Sequence, residues 1–332
     1  MHLTCAPLTA IHATVIDPRN HEALVWVPFG VRAGAWRNAQ GEGFPVTNGV
    51  MRLDAAAVEH AWVLRELGLR PARGDTAQSA ESVASFGFQW SWDHTPRTEE
   101  DLRWRAQERF ELQDGFFAGK RLLDAGCGAG AQAAFFAQRG ASVTAADLSS
   151  AIDVAATRPE LREATLIQGD LAHLPLATGS MDVVYCEGVL QHTSELQPVL
   201  AELARVLAPG GLLLATHYLK PSGPAKRLQW LLRQGIRAAT RGLPQEVVFL
   251  GSGIAASMSM LPVVGPVIGQ TIAVRNPRMP TLKATWSATY DTYGLHHFQR
   301  YLAPEAFRES VERTGFRCQP LGEPGVVKAT RL

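Results

Sequence analysis

The segment Leu122-Leu123-Asp124-Ala125-Gly126-Cys127-Gly128-Ala129-Gly130 closes an apolar run and opens a new element. Its three alternate glycines, Gly126, Gly128 and Gly130, let the backbone approach a ligand closely. Free N–H groups at the start of the helix that follows suit an anionic group such as a carboxylate. Asp147 stands 17 residues past Gly130 and ends a second apolar run. A carboxylate there can accept both hydroxyls of a ribose. Asp170 ends a third run, within reach of an adenine amino group. Glu187 and His192 follow a fourth run, and His217 ends a fifth.

A glycine pattern of this kind also fits a dinucleotide loop, since Gly126, Gly128 and Ala131 satisfy G-x-G-x-x-A. Asp124 decides between the two. A loop that carries two phosphates is poorly served by an acid two residues before its first glycine, whereas a ligand with an ammonium group is well served. S-adenosylmethionine (SAM) has an α-amino group, a sulfonium and an adenosine, and no phosphate. The bland alternative is a glycine turn that fixes strand–helix packing, with Asp147 as an ordinary helix cap. Four matched features in order favour the cofactor site.

Methyl transfer from a sulfonium is an in-line displacement, so alignment supplies much of the rate, and a base is needed only when the acceptor must lose a proton. An imidazole titrates near neutrality, which makes His192 the preferred base. The same position suits a cap of the next helix equally well. His217 is the second catalytic candidate.

Apolar runs that alternate with helical patterns position these residues. KRLLDAGC, SVTAADL, ATLIQGD, MDVVYCEG and GLLLATHYL read as strands, and AQAAFFAQRG, SSAIDVAATR and ELQPVLAELARVL as helices. This is the pattern of a parallel sheet covered on both faces. APEAFRESVERTGF then reads as a helix, and RCQPLG with GVVKATRL as a closing pair of strands. The first 50 residues read as a small β module, 54–69 as a helix capped by Asp54 with Ala57, Val58, Ala61, Trp62, Leu64 and Leu67 on one face, and 70–81 as a linker. An aromatic cluster, FGFQWSWDHT, and a helix from Glu99 to Phe110 complete the N-terminal part. Trp90, Trp92 and Trp104 there suit an interdomain core better than a cover over the cofactor.

These motifs resemble those of class I SAM-dependent methyltransferases of the small-molecule type, with ubiquinone-biosynthesis-like features. LLDAGCGAG is similar to their first motif, AADLS to the ribose motif, QGDLAHLPL to the adenine loop, and MDVVYCEGVLQHT and ARVLAPGGLLLATHY to the fourth and fifth strand motifs. The resemblance implies a Rossmann-like α/β fold, with a seven-stranded sheet whose last strand is antiparallel and helices on both faces. It implies cofactor contacts at Asp124, Gly126, Gly128, Asp147, Leu148, Asp170, Leu171 and the Glu187 backbone, and places His192 at the second histidine of an LHHT-like segment. It divides the chain into an N-terminal module with linker helices, 1–118, and a methyltransferase domain, 119–332, with a lid insertion at 219–295. More loosely, FPVTNGVMRL resembles a module that carries zinc on paired cysteines in relatives. Only Cys5 remains here, so no metal is expected.

Composition narrows the function. A net charge of +1 supplies no field for a nucleic-acid backbone. Four cysteines without a CxxC exclude a zinc ribbon, and free thiols suit a reducing cytoplasm. Oligomeric state is left open. The insertion holds the basic stripe Lys226, Arg233, Arg237 and Arg241, then 28 uncharged residues from Val247 to Val274. Pro262 and Pro266 break a span there, so a helix-turn-helix is expected. Its helix from Pro224 should turn Leu228, Leu231, Leu232 and Ile236 inward, with Met258, Met260 and Leu261 adding apolar surface over a cavity. A lid is favoured over membrane attachment. His296 and His297, adjacent in an extended segment, point apart and make a poor metal pair. The reading is thus an enzyme that takes SAM, releases S-adenosylhomocysteine and methylates a small, apolar acceptor. A SAM-fold enzyme of non-methylating chemistry, such as cyclisation, and a non-catalytic binding protein are the rivals, separable by product mass.

Overall fold

The computed structural model describes residues 15–30, 32–53, 60–72, 80–92, 97–275, 278–294 and 298–332. Cys5, Asp54, Ala57, Val58, His296, His297 and the side chain of Trp90 lie outside the described residues.

A meander opens the described chain: β1 (Val25–Pro28), β2 (Gly34–Arg37), β3 (Glu42–Thr47) and β4 (Val50–Arg52), with α1 (Trp62–Glu66) and β5 (Arg70–Pro71) on β3. Two helices follow, α2 (Ala80–Trp92) and α3 (Glu99–Ala106). Then come β6 (Arg121–Ala125), α4 (Ala131–Gln138), β7 (Ser142–Asp147), α5 (Ala151–Ala155), β8 (Thr165–Gln168), β9 (Met181–Cys186), α6 (Leu196–Val206) and β10 (Leu207–Thr216). The insertion comprises α7 (Pro224–Thr240), α8 (Gln245–Ser259), α9 (Gly265–Thr271) and α10 (Leu282–Tyr293). The chain closes with α11 (Pro304–Glu312), β11 (Phe316–Gln319) and β12 (Val326–Arg331).

The sheet has twelve strands, in the order β1-β2-β3-β4-β8-β7-β6-β9-β10-β12-β11 with β5 beside β3, which corrects the expected count of seven. The excess has one cause. β4 pairs parallel with β8, Val50 opposite Leu166 and Met51 opposite Ile167, so the N-terminal meander continues the same sheet. β12 runs antiparallel to both β10 and β11.

The central strands are apolar without alternation because both faces are covered. Neighbouring residues point to opposite faces: Leu123, Val184 and Leu213 join one core with Leu200 and Leu203 of α6, while Leu122, Val183 and Leu214 join another with Phe135 and Phe136 of α4. In α1 the buried residues are Val63 and Leu64, and Trp62 is exposed, contrary to the expected face.

The insertion is helical, and Pro262 and Pro266 sit in the turn and at the start of α9, as a helix-turn-helix requires. Ile236 packs inward on the cluster that includes Phe249 and Tyr290, as expected, but Leu228, Leu231 and Leu232 do not. Leu228 and Leu231 are 60% and 58% exposed, whereas Arg237 is 4% exposed. The reason is that the polar side of α7 docks on the end of α9. Arg233 donates to the Thr271 and Ala273 carbonyls and Gln229 to that of Gln270, the unsatisfied carbonyls that a helix C-terminus presents. α8 packs instead on α10, where Val248, Phe249, Tyr290 and Tyr293 form a third core with Phe88 and Trp92 of α2. Trp92 lies 4.6 Å from Phe249 and 4.7 Å from Trp286, ring to ring, so it is core. Trp104 is stacked by Arg109 and Arg278.

Candidate active site

The parallel strands deliver their C-terminal ends to one edge of the sheet, the edge where open α/β sheets bind ligands. A cavity of about 530 Å³ opens there, within the size range of small-molecule sites. Asp124, Gly126, Asp147, Leu148, Asp170, Leu171, Glu187, His192 and His217 all line it. Gly128 and Gly130 do not. Gly128, at φ +52°, donates its N–H to Asp147 Oδ2 at 2.8 Å. Gly130, at φ +75°, precedes α4 so closely that a Cβ would stand 2.7 Å from Ala155 Cβ. Both shape the turn. Gly126 is needed for close approach, since its Cβ would fall 2.2 Å from Val189 Cγ2.

Asp124 is buried, and its Oδ2 has no hydrogen-bond partner. Burial first, then the charges of Asp147 and Glu187, push its carboxyl up to about 8. A buried acid in that condition is a seat for a cation. Asp147 accepts from Ser149 N and Oγ at Oδ1 and from Gly128 at Oδ2, with burial outweighing these bonds and raising its pKa. A carboxylate has room for about four such bonds, so Oδ2 can still take a hydroxyl. Asp170 accepts the Ala172 N–H.

Glu187 enters with its side chain, beyond the expected backbone contact. Arg105 and Arg109 bond Oε1 at 2.9 and 2.5 Å, and Tyr185 donates to Oε2 at 2.7 Å. Burial alone would raise the Glu187 pKa, but the two guanidiniums outweigh it and hold the carboxyl below its usual range. Arg105 and Arg109 escaped the sequence reading. Their spacing of four residues, one helical face, was the available signal.

Beyond these polar groups the cavity is walled by Phe86 of α2 and by Met279, Ala284 and Ala288 at and before α10. Tyr218 and Asp291 also line this end, the Tyr218 hydroxyl donating to Asp291 Oδ2 at 2.8 Å. His192 stands between the two ends, in a one-turn helix at Leu190–His192. Its Nδ1 lies 3.1 Å from the Phe298 carbonyl. A carbonyl only accepts, so Nδ1 of the neutral ring carries the hydrogen and Nε2 is the basic nitrogen. Burial pushes its pKa below 6.5, so the ring is neutral at physiological pH. His217, the second catalytic candidate, lines the same cavity. Its Nδ1 is tied to the Tyr218 carbonyl at 2.8 Å and burial drives its pKa down to about 4, which leaves a weak base packed on Phe307. Among the described residues no group of three His, Cys, Asp or Glu could hold a metal ion.

The sequence of this region matches the methyltransferase domain family over residues 123–215. The malonyl-[acyl-carrier protein] O-methyltransferase of Enterobacter lignolyticus is 34% identical over 128 residues, covering 39% of this chain and 51% of that protein. That of Serratia marcescens is 42% identical over 97 residues, 29% of this chain and 37% of its own. The demethylmenaquinone methyltransferase of Thermobifida fusca is 32% identical over 149 residues, 42% and 63%. The chain thus spans about half the length of the curated relatives it matches. Among solved structures, a methyltransferase-like protein of Bacillus halodurans aligns at 17% identity with a TM-score of 0.41, covering 67% of this chain and 71% of that one. A Haemonchus contortus phosphoethanolamine N-methyltransferase aligns at 17% and 0.41, covering 71% and 42%. The matched region contains Asp124, Gly126, Asp147, Asp170, Glu187 and His192, while α2, α3 and α10, which complete the cavity, lie outside it.

Proposed function

We propose that the chain transfers the methyl group of SAM to a small apolar acceptor, and that one continuous cavity serves both molecules. The observation that carries this reading is the pairing, in one cavity, of a buried unpartnered carboxylate oxygen on Asp124 with an apolar end beside a neutral imidazole. The donor set fits SAM. Asp124 faces an ammonium, Asp147 takes a ribose hydroxyl on Oδ2, and Asp170 with Leu148 and Leu171 holds the adenine. When bound, the cofactor supplies an electrophilic methyl on a sulfonium.

The rest belongs to the chain's own side chains. Phe86, Met279, Ala284 and Ala288 exclude water and orient an apolar acceptor, which is the alignment an in-line displacement needs. His192, locked by the Phe298 carbonyl, takes the acceptor's proton on Nε2. Because its pKa is depressed, the base stays unprotonated at neutral pH, and at saturating SAM turnover falls on an acid limb below 6.5. The test uses methyl-labelled SAM with malonyl-acyl carrier protein and demethylmenaquinone, the acceptors in the relatives' names, alongside a panel of apolar phenols and acids. The expected result is label transfer to one of them, lowered by roughly 10²–10⁴ in His192→Ala. Transfer by that variant within a few-fold of wild type would remove His192 as base.

A further inference from the structure

Twelve of the seventeen exposed large apolar side chains among the described residues fall between Leu228 and Val267. The cavity does not account for them, since its cover comes from α2 and α10. α8 is apolar on both sides. One side, Val248, Phe249 and Ala256, is buried against α10, and the other, Val247, Leu250, Ile254, Met258 and Leu261, recurs at helical spacing and faces outward. That outward row leads into the Pro262–Pro266 turn, whose tip residue Val263 is 87% exposed, and on to Val267 of α9.

We propose that this face, the outer row of α8 with the α8–α9 tip, rests on an anionic lipid bilayer. Charge on the page selects the occupant. Between Lys220 and Arg275 there are seven basic residues and one acid, Glu246, and Lys226, Arg227, Arg241 and Arg275 are exposed. Two of these cations, Lys226 and Arg275, are placed beside α9, which continues the apolar face. α7 lies along α9 through the Gln229 and Arg233 bonds, with Lys226 one turn before Gln229, and the Arg275 side chain lies against Gly269 of α9. Aliphatic side chains at the acyl boundary with cations at headgroup level are the arrangement of an interfacial helix. Protein hot spots are enriched in Trp, Tyr and Arg, and the outward row is purely aliphatic. Among the described residues no helix is long and apolar enough to cross a membrane, so contact is with the surface.

The experiment co-sediments the full chain with phosphatidylcholine vesicles, with and without one-third phosphatidylglycerol, at low and high salt. The expected result is sedimentation with the anionic vesicles that weakens with salt. Each neutralised cation should lower the partition coefficient about five-fold, so Lys226→Gln/Arg227→Gln/Arg241→Gln should lower it roughly a hundredfold. Ile254→Asp/Val263→Asp should abolish binding while S-adenosylhomocysteine affinity and the melting curve stay unchanged. All five side chains are exposed, and if the aspartates disturb folding the cation variant carries the test alone. A wild-type protein that stays in the supernatant overturns the proposal. So does equal sedimentation of wild type and variants. A dimer in sedimentation velocity that the aspartates disrupt, without vesicle binding, would assign the face to a second copy of the chain and likewise overturn it.

Discussion

Asp124 shows how a site residue works against its own fold. An acid whose pKa rises from 3.8 to about 8 on folding binds a proton more tightly in the folded state. Its contribution to stability is therefore lost progressively as pH rises from about 4 to about 8. Asp124→Asn should raise the melting temperature of the ligand-free protein at pH 8.5 and change it little at pH 4, a comparison that scanning calorimetry makes directly. A variant that melts lower than wild type at pH 8.5 would show that the carboxylate has a stabilising partner. Asp124, Asp147 and Asp170 were legible in the sequence because each ends an apolar run, and a run's end is visible without a structure. The Arg105 and Arg109 cage around Glu187 was not. It joins residues 82 and 78 apart in the chain, and a basic pair at helical spacing is more often a solvated face.

At the scale of elements, the turn between β6 and α4 depends on glycines for two distinct reasons, and substitution separates them. Gly130→Ala combines a left-handed backbone with contacts of 2.7 Å to Ala155 and 2.9 Å to Leu161. It should lower stability by about 2–4 kcal/mol in urea denaturation. Gly115→Ala shares the positive φ, +77°, but meets nothing within 4 Å, so its cost should be about 1 kcal/mol. Equal costs would mean that crowding at Gly130 relaxes freely. The alternating strands and helices of the central sheet were readable because burial on both faces leaves an unbroken apolar run. α7 was not, because periodicity defines two faces and does not say which one docks. The carbonyls at the end of α9 draw Arg233 and leave Leu228 and Leu231 in solvent. α2 was read only as an aromatic cluster. Within it a Cβ on Gly87 would stand 2.6 Å from Ser150 Oγ, so the glycine permits close contact with the start of α5.

For the whole molecule, the parallel pairing of β4 with β8 ties the N-terminal strands to the central parallel sheet. Arg52 reinforces the seam. It is 1% exposed and bonds Gln168 Oε1 at 2.7 Å and Asp153 Oδ1 at 2.5 Å. Asp153 is 43% exposed, which tempers the ion pair. Arg52→Ala should therefore cost about 2–3 kcal/mol, from two charge-assisted bonds and a buried stem. Unfolding should remain one transition by fluorescence and circular dichroism. Two separated transitions would contradict a single cooperative sheet. A boundary near residue 118 follows from the change in sequence pattern, but pairing across 116 positions leaves no local trace.

The central claim is that the cavity at the ends of β6 to β10 holds SAM through Asp124 and Asp147. Calorimetric titration with S-adenosylhomocysteine tests it most directly, in wild type, Asp124→Asn and Asp147→Ala between pH 6 and pH 9. The expected result is affinity that rises with pH up to about 8 as the Asp124 proton is released, a rise that Asp124→Asn lacks. A loss of one to two powers of ten is expected in Asp147→Ala, with NAD giving no heat. No binding by wild type, or equal affinity in all three proteins, would contradict it.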